Sequence, residues 1–375
     1  MISHWKRKEQ PMTEYRFAQP EEETEALDFI NAVFSQAARP HDFAKLIPKV
    51  YAHPGFAGLH AVAVEDGRIR GAIAMLPITV HAGEDTLKAG YIGSVSVHPR
   101  FRGKGYMKRL MAMQIDEAKR QGMDFMALGG QRQRYQYFGF ANYGSEICFS
   151  VTQANARHAL PKDTPFSFVS PDESHIEKMA ALHVKQALRC ERPRFLEALR
   201  TYNAVPYAIL NGDVFAGYLV TLGDQITELC LEQESDLPAV ISAWLREHKS
   251  CEILCYGHMA ERIRLLNTFA ESYAIGPSAM IKVLNWEHVL RAVLRLWTLP
   301  DGERVIRIED AGTFRVTVTN GKAEVLPCQA QLDCIWTETE AAEALFSPLN
   351  ALYIPDPLLR AWLPLTLDIP IADQF

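Results

Sequence analysis

Helical spacing and strict alternation divide the first part of the chain into short elements. Over residues 22–37, Ala26, Phe29, Ile30 and Val33 recur at helical intervals, which predicts an amphipathic helix. "LHAVAV" and "RIRGAIAML" flank Glu65, Asp66 and Gly67, and the Asp-Gly pair predicts a hairpin. A third strand, "TLKAGYIGSVSV", runs into the loop "HPRFRGKG". From Tyr106 to Gln121, Met107, Leu110, Met111, Ile115 and Ala118 fall on one helical face, and Gly122 supplies the stop. The strand "DFMALGG" follows. The predicted order is helix, hairpin, strand, loop, helix, strand.

The pattern recurs further on. "YAILNGDVFAGYLV" repeats the strand–turn–strand arrangement of "AVAVEDGRIRGAIA", with Gly217 placed as Gly71 is. The strand "ITELCL" then precedes the helix "LPAVISAWLREH", but the junction is "EQESD", with neither glycine nor basic residue. The middle of the chain therefore reads as a second copy of one fold without the loop of the first. Beyond Trp286 come a helix, "HVLRAVLRLW", a hairpin around Asn320-Gly321 and another helix, "ETEAAEALFS". The expected units are residues 12–160, 161–285 and 286–375, with no Gly/Ser-rich linker between them.

With 375 residues the chain exceeds one ordinary core, which agrees with several units. Its 48% apolar and 22% charged residues are a globular composition, and no apolar run reaches the ~18 residues that span a bilayer. Nothing at residues 1–11 reads as a secretory signal, and Met12 is a second candidate start. A net charge of −6 argues against nucleic acid as a partner. The seven cysteines are an odd, scattered set; Cys251 and Cys255 lack a matching His or Cys pair, so neither metal nor disulfide framework is expected. Reduced, buried thiols in a cytoplasmic protein fit this usage.

The loop at residues 98–105 is the strongest chemical signal. A strand-to-helix loop exposes the first unpaired amides of the helix, and these together with its dipole attract phosphate. Gly103 and Gly105 allow close backbone approach, while Arg100, Arg102, Lys104 and Lys108 add cationic charge. A diphosphate is the natural guest. The alternative is a solvated basic turn. The segment lacks the Gly-Lys-Ser/Thr of a P-loop and the three glycines of a dinucleotide fingerprint.

"GSVSVHPRFRGKGYMKRLM" resembles the acetyl-CoA-binding motif R/Q-x-x-G-x-G/A of the GCN5-related N-acetyltransferases (GNAT). This resemblance implies an α+β fold in which the strand before the loop splays from its neighbour and offers amides to the cofactor. The implied cofactor contacts are Val95, Ser96 and Val97, the loop residues Arg102, Gly103, Lys104, Gly105, Tyr106, Met107 and Lys108, and Gly130 and Gln131 past the next strand. "RYQYFGFANYG" at residues 134–144 is similar to the Y-x-x-F-G-[YF] segment of the Eis-like (enhanced intracellular survival) acetyltransferases. That group has tandem GNAT folds, the first active and the second degenerate, followed by a sterol-carrier-protein-like α/β domain.

The same resemblance implies two catalytic groups. Tyr135 would protonate the departing thiolate, with Tyr137 as its competitor, and the α-carboxylate of the last residue, Phe375, would act as base. A lysine-like amine of pKa ~10.4 is neutral about once in 2,500 molecules at pH 7, so a proton acceptor helps. Some members acting on cationic drugs carry an acid before the terminal phenylalanine; here it is Gln374, with Asp373 one further back. The expected reaction is acetyl transfer from acetyl-CoA to a primary amine, on a small molecule, polyamine, aminoglycoside-like compound or lysine side chain, with no metal. A homo-oligomer fits the resemblance. The rival reading is a CoA-sensing or lipid-binding protein that no longer turns over.

Overall fold

The computed structural model describes residues 13–37, 39–349 and 354–375. The candidate start at Met12 lies outside the described residues. In chain order the strands are β1 (Glu14–Phe17), β2 (His60–Glu65), β3 (Arg68–Ala82), β4 (Asp85–Val97), β5 (Phe125–Leu128) and β6 (Ala141–Tyr143). Next come β7 (Glu146–Thr152), β8 (Phe166–Val169), β9 (Leu188–Cys190), β10 (Val205–Asn211), β11 (Val214–Leu222), β12 (Gln225–Leu231) and β13 (Ser250–Tyr256). The last are β14 (Ser272–Gly276), β15 (Ala279–Val283), β16 (Gly302–Ile308), β17 (Gly312–Thr319), β18 (Lys322–Pro327) and β19 (Cys334–Trp336). The longer helices are α1 (Glu23–Ala37), α2 (Tyr106–Arg120), α3 (Glu173–Val184), α4 (Leu237–Glu247), α5 (Trp286–Leu294) and α6 (Glu338–Phe346).

Three sheets organise these elements. The first runs β1-β2-β3-β4-β5-β15-β6, with β9 added beside β3; the second runs β14-β7-β13-β12-β11-β10-β8; the third runs β18-β17-β16-β19. In the first, β4 and β5 are parallel and α2 makes the crossover; in the second, β12 and β13 are parallel and α4 does the same. The repeat read in the sequence is therefore a repeat of topology.

The sheets exchange strands. The chain leaves the first sheet after β6, and β7 enters the second sheet between β13 and β14. After β14 it returns, and β15 enters the first sheet between β5 and β6. Apart from β9, which lies beside β3, sheet membership thus changes near residue 145 and again near residue 277. Alternation identifies these segments as strands but does not name their partners.

Helix α2 carries the site's loop at its start, so its docking fixes the loop. Tyr106, Leu110, Met111 and Ala118 are buried on its inner face, and Gly71 of β3 lets it approach: a Cβ there would lie 3.2 Å from Leu110 Cδ1. Each such side chain contributes about 1.5–3 kcal/mol by leaving water. Polar Gln114 is also buried on this face, donating to the carbonyls of Leu59 (2.9 Å) and Ile73 (2.6 Å), while Ile115 and Met107 are only half-buried. One core runs unbroken from Ile30 and Tyr91 through α5 and α6 to Leu365, Leu367 and Phe375, joining the first and third units.

Candidate active site

The loop after β4 is built on a local break in pairing. β4 pairs with β5 only over Ala89–Ile92, so Gly93–Val97 has no partner on that side. On the other side the register slips between Ala72 and Ala74, where Ser94 takes a φ of 52°. This bulge bends β4 away from β5 and leaves a gap between the strands. Ser94 is held by Tyr51, whose hydroxyl lies 2.8 Å from Ser94 Oγ and 3.0 Å from His60 Nε2. His60 Nδ1 donates to the carbonyl of Phe56 (3.0 Å), and burial pushes the His60 imidazolium down to about 4, so the ring is neutral and accepts from Tyr51.

Beyond the gap, Gly103 and Gly105 take φ of +83° and +82°, a region that only glycine enters at little cost. Gly105 is the N-cap of α2, and no atom stands within 4 Å of the position a Cβ would occupy at either glycine. The loop, the end of β4 and one face of α1 enclose a cavity of about 730 Å³. Its lining includes Val33 and Phe34 of α1, Val95 and Val97 of β4, Arg102, Gly103, Gly105, Tyr106, Met107 and Lys108 of the loop and helix start, and Arg134. A helix N-terminus, three cationic side chains and exposed loop backbone suit a diphosphate.

Four of the expected cofactor residues are not among those lining this cavity. Lys104 turns to Glu65, 2.9 Å away, and covers the ring of Phe101. Glu65 also accepts from the Tyr106 hydroxyl, and these two donors hold its carboxyl below the usual carboxylate range. Ser96 is buried and donates to the Ser94 carbonyl (3.0 Å). Gly130 lies under the Tyr135 ring, which a Cβ would approach to 2.4 Å. Gln131 stands at the N-cap position of the short helix Arg132–Tyr135, with no side-chain capping bond. Arg134, which sequence reasoning missed, lies on the cavity wall.

The two tyrosines are set apart by burial. Tyr137 is 67% exposed, and Lys108 Nζ lies 4.1 Å from its ring centroid. Tyr135 is buried in the core beside Met126, Leu128 and Met280, and this burial pushes its phenol above the usual tyrosine value. Such a phenol stays protonated at neutral pH and is available as a proton donor.

The chain end reaches the same gap. Phe375 is buried, its ring stacked on Tyr51 at 5.7 Å, and its carbonyl carbon and oxygen lie against Gly93. Lys49 Nζ donates to the carbonyls of Ala372 and Gln374, at 2.6 Å each. Asp373 is bound to Arg192 and is not free to meet an acceptor.

The second unit keeps the divergence of its parallel strands, but the cavity there, lined by Thr227–Cys230 of β12, Leu254 and Tyr256 of β13, Arg192 and Arg262, is only about 30 Å³. β12 and β13 pair only at Gln225–Ile226, and the buried guanidinium of Arg262 donates to the Leu229 carbonyl (2.5 Å) and to Glu234 (2.6 Å). Among the described residues no group of three or more His, Cys, Asp or Glu side chains could hold a metal ion, and no helix is long and apolar enough to cross a membrane. All seven cysteines are free.

Residues 14–143 match the family described as acetyltransferase (GNAT) domain. No curated protein matches the chain. Among solved structures, a GCN5-related N-acetyltransferase from Kribbella flavida aligns at 18% identity over 97% of this chain and 99% of its own, with a TM-score of 0.71. A GCN5-related N-acetyltransferase from Anabaena variabilis aligns at 17% identity over 97% and 100%, with a TM-score of 0.69. Eis1 from Mycobacterium abscessus aligns at 15% identity over 97% and 99%, with a TM-score of 0.68. At these identities the likeness is one of fold along nearly the whole chain. Residues 14–143 thus match the GNAT acetyltransferase domain, within a fold that aligns along nearly the whole chain with solved structures titled GCN5-related N-acetyltransferase.

Proposed function

We propose that the protein is an N-acetyltransferase that moves the acetyl group of acetyl-CoA to a primary amine. The observation that carries this reading is the glycine-rich loop with its cavity at the gap in the first sheet. The buried phenol of Tyr135 and the chain end at Gly93 support it. In this reading the loop amides and Arg102 hold the diphosphate, and the backbone of Val95 and Val97, free of β5, receives the pantetheine arm. The amine nitrogen attacks the thioester carbon, a C–N bond forms and the C–S bond breaks. The Phe375 carboxylate takes the proton that the nitrogen loses. Tyr135 gives its hydroxyl proton to the departing sulfur and is reprotonated from solvent.

Residues 286–375 supply the third sheet with α5 and α6 and carry the chain back to the first unit. We read them as the sterol-carrier-like domain of an Eis-like protein, whose part in the reaction is delivery of the terminus. The groove between this domain and the first unit is lined by Lys119, Lys282, Glu287, Asp310 and Glu338 among others, which suits water better than a lipid.

The test is thiol release from acetyl-CoA with polyamines, aminoglycosides and lysine peptides as acceptors. Acetylation of at least one class, lost in Tyr135→Phe, supports the proposal. Tight acetyl-CoA binding without turnover on any acceptor would mean a binding protein on a GNAT scaffold.

A further inference from the structure

We propose that the second unit serves the first as the anchor of its chain end, with Arg192 as the positioning residue that fixes where the Phe375 carboxylate sits. This rests on reading that carboxylate as the proton acceptor. Arg192 follows β9, the strand by which the second unit pairs with β3 of the first sheet. Its side chain is 1% exposed. Its Nε and Nη2 donate to Asp373 Oδ1 and Oδ2 at 2.8 and 2.7 Å, a bidentate grip two residues before the chain end. Its Nη1 and Nη2 donate to the two oxygens of Glu228 at 2.7 and 2.8 Å. Glu228 lies on β12, the second unit's counterpart of β4, and also accepts from the Tyr218 hydroxyl at 2.6 Å.

The rest of the tail is held residue by residue. Ala372 is held through its carbonyl by Lys49 (2.6 Å) and Thr201 (3.3 Å), Gln374 by Lys49, and Phe375 by Tyr51 and the space at Gly93. The last four residues thus meet side chains from both units.

Apolar packing alone would suffice to bury such a tail. Chain ends ordinarily fray, and a buried ion pair is a poor stabiliser because desolvating both charges offsets most of its attraction. A bidentate pair supplies what apolar contacts lack, a fixed register. A slip of one residue along an extended tail moves its end by about 3.3 Å, more than a hydrogen bond's tolerance. At the corresponding place in the second unit the cavity is only about 30 Å³ and is lined by Arg192, Glu228 and Arg262, which leaves no room for a diphosphate of its own.

Asp373→Asn is the variant to make, because Arg192 keeps Glu228 as its partner and the core stays paired. It should fold, at a lowered thermal midpoint because the buried guanidinium loses one of its two charged partners, and bind acetyl-CoA as the parent does. Its kcat should fall about 10²-fold with KM for acetyl-CoA unchanged, the scale of a misplaced catalytic group. Formate, a free carboxylate, should restore part of the rate to Asp373→Asn and to a chain lacking Phe375, but none to Tyr135→Phe. Should Asp373→Asn fail to fold, Asp373→Glu keeps charge and pairing while shifting the tail by one methylene, and the same loss of kcat is expected. An Asp373 variant with kcat within threefold of the parent, while the chain lacking Phe375 is inactive, would overturn the anchoring role alone. Full activity without Phe375 would overturn the reading of the terminus and the anchor together.

Discussion

Phe375 and Gly93 occupy adjoining space: a Cβ built on Gly93 would lie 2.7 Å from the Phe375 oxygen, 2.8 Å from its Cδ1 and 2.9 Å from its carbonyl carbon. These contacts are to a backbone and a buried ring, neither of which can swing aside. Gly93→Ala should therefore displace the chain end while leaving the loop intact. Turnover is expected to fall at least tenfold, with acetyl-CoA affinity by calorimetry unchanged. A fully active Gly93→Ala protein would show that the terminus takes no part.

Gly105 faces the opposite demand. Its neighbourhood is open, so a side chain there meets no protein atom, but its φ of +82° strains any branched residue by about 1–3 kcal/mol. Gly105→Val should weaken acetyl-CoA binding at least tenfold in calorimetry through this strain and through contact with the diphosphate. A change at Glu234, the ion-pair partner of Arg262 in the second unit, should leave that affinity unaltered.

Tyr135 and Tyr137 are separated by kinetics. Tyr135→Phe removes one buried donor and little volume, so acetyl-CoA should still bind while kcat drops by roughly 10²–10⁴. Tyr137→Phe keeps an aromatic surface for Lys108 and should cost less than threefold. The reverse ranking of the two rates would reassign the acid.

Features set by neighbours in sequence are legible in the sequence itself. The hairpin at Asp66-Gly67 follows from two residues that accept φ of 55° and 67°, and α2 follows from its apolar period and its stop. Features set by distant partners are not. The apolar pattern of α2 gives no sign that Gln114 is buried, because its carbonyl partners, Leu59 and Ile73, lie on other elements. Lys104 reads as a phosphate ligand until Glu65, 39 residues earlier, is seen to take it. The strand exchange and the grip of Arg192 on Asp373, 181 residues apart, have no local signal. For the chain end, the residues alone indicated an apolar, proline-rich tail; its place in the site came only from resemblance.

Asp368 offers a pH test of the tail's burial. It is 2% exposed, accepts from Ser278 Oγ (2.5 Å) and the Ser145 amide (3.1 Å), and burial pushes its carboxyl up to about 6. The folded protein therefore binds this proton more tightly than the unfolded chain does. The group's contribution is complete below about pH 3.8 and is lost as pH rises through 6, by up to about 3 kcal/mol. Asp368→Asn should gain stability relative to the parent at pH 7.5, and the gain should shrink at pH 5. Urea denaturation at the two pH values measures this, and an equal difference at both would contradict the assignment.

The most direct measurement compares the parent with a protein carrying one alanine after Phe375. The extension moves the terminal charge by about 3.5 Å and leaves a neutral amide beside Gly93. Acetyl-CoA binding by calorimetry and acetyl transfer to the best acceptor are read on both. The account predicts unchanged binding and near-complete loss of transfer in the extended chain, with full activity when the alanine is added at the other end. Equal transfer by the parent and the C-terminally extended chain would contradict the claim that the Phe375 carboxylate accepts the proton.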